Sequence, residues 1–78
     1  MKADELRVLA ARVAAEQSLP DHLTAPVLAA LHTVKAASPR SESERYGLEC
    51  AAHVISDAWP LDSILGQDVL AYVQARRR

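Results

Sequence analysis

The 78-residue chain contains no phenylalanine and only three other aromatic side chains, Tyr46, Trp59 and Tyr72. A core made without large rings must come from leucine, valine and alanine, the last being the commonest residue, and each of these buries modest area. One cysteine, Cys50, excludes an internal disulfide and fits a reducing compartment, so the cytoplasm is the expected location. No apolar run approaches the 18 to 20 residues of a membrane span, and the opening Met1-Lys2-Ala3-Asp4-Glu5 is charged too early for a signal sequence. Charge of one sign is also lacking. A net charge of −1 supplies no global field to draw in nucleic acid or an anionic membrane.

The length supports one domain over 1–78, because two smaller cores could not each offset their own ordering entropy. At this size, buried apolar area and conformational entropy nearly cancel, and chains without disulfide or metal often gain stability by associating. Half of the residues are apolar and about a quarter charged, which is a folded composition.

What is present is helical periodicity cut into four segments by prolines. The first, about Ala3 to Gln17, sets Leu6, Leu9, Ala10 and Val13 on one stripe, with Asp4 and Glu5 at the end where the helix dipole favours carboxylates. Val8, Ala11 and Ala15 form a second, smooth stripe on the far side. Ser18-Leu19-Pro20-Asp21 reads as a connector with one turn, because Pro26 follows too soon for a long helix. Thr24 then caps a second helix, about Ala25 to Ala37, whose inward stripe is Val27, Ala30, Leu31 and Val34, with Leu28 off it.

Residues 38–43 are polar, contain Pro39 and read as a flexible loop. Ser41 and Glu44 form a capping box for a third helix, about Glu42 to Ala58, which Trp59-Pro60 ends. Leu48, Ala51, Ala52, Val54, Ile55, Ala58 and Trp59 gather on one side of it; Tyr46, Glu49, Cys50, His53 and Asp57 gather on the other. Asp62 caps a fourth helix with Leu65, Val69, Leu70, Tyr72 and Val73 inward and Ile64, Ala71 and Ala75 outward. Gly66 marks either a close helix contact or a weakened first turn. Residues 76–78 are expected to fray. The fold expected is all-α, a compact antiparallel bundle of four short helices.

No residue cluster dictates chemistry. Glu49, His53 and Asp57 stack along one helical face beside Cys50, yet one straight helix rarely closes a tetrahedral metal site, and no His-x-x-x-His or Cys-x-x-Cys spacing accompanies them. Cys50 with His53 has no orienting third group and no pocket to exclude water, so the reading is non-enzymatic, with no cofactor and no metal. His22 and His32 read as surface residues.

The expected function is protein association, as a self-associating adaptor, a co-chaperone or an inhibitor of a larger partner, with a homodimer the expected assembly. Val8, Ala11, Arg12 and Ala15 supply the surface, joined by Leu28 and Ile64, because alanines permit close approach of helix axes and charged neighbours fix register. The alternative is a small nucleic-acid-binding regulator with a helix-turn-helix-like pair, Arg45 and the basic Arg76-Arg77-Arg78. Against it stand the glutamates around Arg45 and the long connector before the third helix.

Overall fold

A computed structural model describes residues 2–77, with side chains from Glu5 to Arg77, and shows four helices and no strand among them. They are α1 (Lys2–Ala15), α2 (Asp21–Ala36), α3 (Glu42–Ala58) and α4 (Ile64–Arg77). Each packs against its neighbours in chain order, and α4 returns to α1 to close the ring. The directions alternate. Val34 of α2 lies by Gly47 of α3 while Leu23 meets Trp59, and on α4 Gly66 lies by Ile55 and Trp59 while Arg76 meets Glu44. A radius of gyration of 11.3 Å is what a chain of this length has when no element splays away.

The core consists of the predicted stripes. Leu6, Leu9 and Val13 from α1 meet Val27, Ala30, Leu31 and Val34 from α2, Leu48, Ala51 and Ile55 from α3, and Leu65, Val69, Tyr72 and Val73 from α4. Trp59, just past α3, is buried, and its indole N–H donates to the Leu23 carbonyl at 3.0 Å, so its one polar atom is satisfied within the fold. Ala52, Val54 and Leu70 are half-buried at the margin of this core, and Ala58 is exposed. Gly66 marks a close contact: a Cβ there would stand 3.1 Å from the Trp59 ring.

Helix α3 has the predicted bounds. Ser41 Oγ accepts the Glu44 N–H at 3.2 Å, half of the capping box. The other half differs, since Glu44 Oε1 reaches past Ser41 to accept the Arg40 N–H at 3.1 Å, which Arg40 presents by adopting φ 62.

Three local readings are corrected. Helix α2 starts at Asp21, not Ala25, because the Leu23 and Thr24 N–H groups turn onto the Pro20 carbonyl and nucleate the helix one turn early. Pro26 then lies inside α2, where it removes a single hydrogen bond, to His22, on the outer side of the helix, where His22, Ala25 and Pro26 are exposed and that carbonyl can be left to water. Thr24 is buried instead of capping. Helix α1 ends at Ala15, short of the expected Gln17, and in the connector Ser18 pairs back to Glu16: its N–H and Oγ both donate to Glu16 Oε1, at 3.0 and 2.7 Å. Those two bonds hold the Glu16 carboxyl below its ordinary value. The cap of α4 is Ser63, whose Oγ accepts the Gly66 N–H at 3.0 Å, and Asp62 belongs to the preceding turn.

The chain end also differs from expectation. Helix α4 continues through Arg77, and Arg76 donates to Glu44, so fraying does not begin at Arg76. The parts of the reading that fall on the Asp4 side chain and on Arg78 lie outside the described residues.

Candidate functional site

The outer face of α1 follows from its own helical geometry. Leu6, Leu9 and Val13 turn into the bundle, which carries Val8, Ala11 and Ala15 to the opposite side, and all three are exposed, Val8 to 55%. The bundle therefore does not bury both stripes of α1. Across the seam to α4, Ile64 is 73% exposed and Ala71 is also open. This seam is the thinnest of the four. Arg12 and Asp68 bridge it, Nη1 to Oδ2, at 2.8 Å, with both side chains nearly half exposed.

A shallow hollow lies on either side of that bridge, one lined by Val8, Leu9 and Ala71, the other by Ala15, Leu19, Ile64 and Leu65. Of the six residues proposed from sequence, Val8 and Arg12 line the first hollow and Arg12, Ala15 and Ile64 the second, while Ala11 is exposed on the same side of α1 but lines neither. Leu28 is separate. It is half-buried on α2 and packs against the core, so much of its apolar surface is covered within the subunit. Leu61, near Ile64 in the preceding turn, is the most exposed large apolar residue, and the sequence reading passed over it. Its position next to Pro60 outside any helical stripe was the available signal.

On the far face of α3, Tyr46, Glu49, Cys50 and His53 line an open groove with Pro26, Ala29 and Thr33 of α2, and Cys50 is half-buried against the core. His53 Nε2 and Asp57 Oδ2 are 3.0 Å apart in the open, both side chains well exposed. Tyr46 is exposed beside Cys50, whose sulfur pushes the phenol above its ordinary value. No group of three His, Cys, Asp or Glu side chains among the described residues is arranged to hold a metal ion. Nor is any helix among them long and apolar enough to cross a membrane.

A second concentration of charged groups, not foreseen from the sequence, lies on another part of the surface. At the end of the bundle where α3 begins and α4 finishes, Arg40, Arg45, Arg76 and Arg77 line a cleft of about 410 Å³ with Ser41, Glu44 and Glu49. Glu44 is buried there, its side chain 6% exposed against 25% for Arg76. The guanidinium hydrogen bond from Arg76 holds the Glu44 carboxyl below its ordinary value, against the opposing effect of burial, with the Arg40 N–H adding to it. The same pairing raises Arg76. Arg40, Arg45 and Arg77 make no ion pair among the described residues.

The helix-turn-helix-like pair is not what α2 and α3 form. They lie side by side from Val34 and Gly47 at one end to Leu23 and Trp59 at the other, whereas a recognition pair crosses at roughly 90–120° after a tight turn. The absent side chain of Gly47 is what lets the two backbones approach so closely.

No family model matches the chain, and no curated protein or solved structure shows significant similarity to it.

Proposed function

We propose that the chain is a non-enzymatic association module that pairs with a second copy of itself through the outer face of α1 and the start of α4. The observation that carries this reading is the shared exposure of Val8 and Ile64, flanked by the small Ala11 and Ala15, across the thinnest seam of the bundle. A two-fold interface must be self-complementary. This face meets that requirement, since Arg12 and Asp68 lie side by side on it and, across a two-fold axis, each has an opposite charge to meet. The alanines allow the helix axes to approach toward the lower end of about 8–10 Å, and Val8 and Ile64 supply the apolar area. Acting as an adaptor or as an inhibitor of a larger partner would use the same face in place of a second copy.

Sedimentation velocity over a concentration series tests this. The expected result is a reversible dimer for the wild type and at least a tenfold weaker dimer for Val8→Glu and Ile64→Glu, with helical circular dichroism unchanged, because both positions point away from the core. A wild-type chain that stays monomeric throughout the series, or variants that dimerise as well as it does, would overturn the proposal.

A further inference from the structure

We infer that the arginine-lined cleft between the start of α3 and the end of α4 is a binding site for a small phosphate-bearing anion. The inference does not depend on the association face, which lies on different residues. Four arginines drawn from the α2–α3 connector, α3 and α4 converge on one concavity. Two glutamates share it, so its lining is net positive in a chain whose net charge is −1, and the rest of the surface is correspondingly acidic.

The two carboxylates have different consequences. Glu44 is buried and already matched by Arg76, so it cancels that arginine and leaves Arg40, Arg45 and Arg77 facing the opening without partners of their own. Glu49 is an exposed carboxylate in the same lining, where its charge disfavours an extended polyanion more than a compact anion held by the three arginines.

The chemistry suits phosphate in particular. Guanidinium groups present paired N–H donors that match two oxygens of a phosphoryl group. Ser41, the N-cap of α3, lies in the same lining, where the positive end of the dipole of a 17-residue helix favours an anion. Arg40 supplies a separate indication. It occupies a left-handed backbone conformation, φ 62, that glycine or asparagine would hold at lower cost, so its long cationic side chain is not there for the backbone's sake. Its N–H is used on Glu44, which leaves the guanidinium for the cleft. A volume of about 410 Å³ accommodates a phosphate or a small phosphate monoester.

Titration calorimetry with inorganic phosphate and with phenyl phosphate, ionic strength held constant with chloride, tests the site. One saturable site per chain is expected, with affinity lowered about tenfold by Arg45→Gln and by Arg40→Gly, since each removes a charge-assisted contact. Arg40→Gly should melt no lower than the wild type, because glycine takes φ 62 without steric cost, so its loss of binding cannot come from unfolding. Arg7→Gln, which removes the same charge from α1 outside the cleft, should change affinity less than twofold. Binding of both ligands assigns the site to phosphate monoesters; binding of inorganic phosphate alone assigns it to the free anion. The inference is overturned if neither ligand saturates, if Arg7→Gln weakens binding as much as Arg45→Gln, or if only a single-stranded oligonucleotide binds, with steep salt dependence, which would make this end of the bundle a nucleic-acid surface instead.

Discussion

Gly47 is where α2 and α3 come closest, and replacing it with alanine puts two opposing effects in direct competition. An ideal Cβ at this position would stand 2.7 Å from Val34 Cγ2 and 2.9 Å from the Ala30 carbonyl oxygen. Ordinary carbon contacts lie at about 3.5–4.0 Å, so one or both neighbours must move. Neither moves easily: valine in a helix has essentially one rotamer, and the carbonyl belongs to the α2 backbone. The helices must therefore separate, at a cost of about 1–3 kcal/mol for an overpacked contact. Alanine's better helix propensity returns about 1 kcal/mol. With both neighbours this rigid the crowding falls in the upper part of that range, about 2–3 kcal/mol. The net expectation for Gly47→Ala is therefore a loss of about 1–2 kcal/mol, read in urea as a lower midpoint with unchanged slope and in melting as a drop of roughly 5–15 °C.

Gly66→Ala is the internal control. Its Cβ would meet side chains only among its nearest neighbours, Trp59 at 3.1 Å and Ile55 at 3.3 Å, which can yield by a few tenths of an ångström. Crowding and propensity then nearly cancel, and stability should stay within about 0.5 kcal/mol of wild type. A Gly47→Ala chain as stable as the wild type or more so would refute the close α2/α3 approach on which the core arrangement rests.

Two further perturbations address the charged and capping groups. Glu44→Gln leaves Arg76 without its countercharge, and because that guanidinium is a quarter exposed, water should limit the loss to about 2 kcal/mol, below the full cost of a broken buried pair. The pairing sets Glu44 below its ordinary value of 4.5 in the folded state, so its stabilisation is complete above that pH and disappears as pH falls through the lower folded value; urea midpoints should fall across this range in the wild type and less steeply in the variant. Ser63→Ala should cost about 1 kcal/mol through the lost cap on Gly66, and Asp62→Ala much less. Equal losses at the two positions would contradict the assignment of the cap.

The residues that made α3 legible are local. Ser41 three positions before Glu44 and Trp59 directly before Pro60 each act within one turn of chain, so both ends of that helix could be read from sequence. The start of α2 could not, since Pro26 signals a first turn more strongly than Pro20 does, and only the hydrogen bonds onto the Pro20 carbonyl decide between them. The exposed side of α1 was legible because a helix with Leu6, Leu9 and Val13 inside must turn Val8 and Ala15 out. The arginine cleft was not, because Arg40 and Arg45 are separated from Arg76 and Arg77 by most of α3 and nearly all of α4; an antiparallel bundle brings those two ends together but does not say which side chains converge on one cleft. Read alone, Arg76 and Arg77 look like ordinary cations at a helix C-terminus, and Glu44 looks like a capping residue with no further duty.

The mooring of Arg76 to Glu44 also bears on how the molecule opens. Peeling the last turn of α4 from the bundle would strand a desolvated carboxylate at the beginning of α3, so that turn does not open independently of α3. Amide protons near Tyr72 and Val73 should consequently exchange with solvent through the same rare event that exposes the centre of α3, coupling the tail of the chain to its middle.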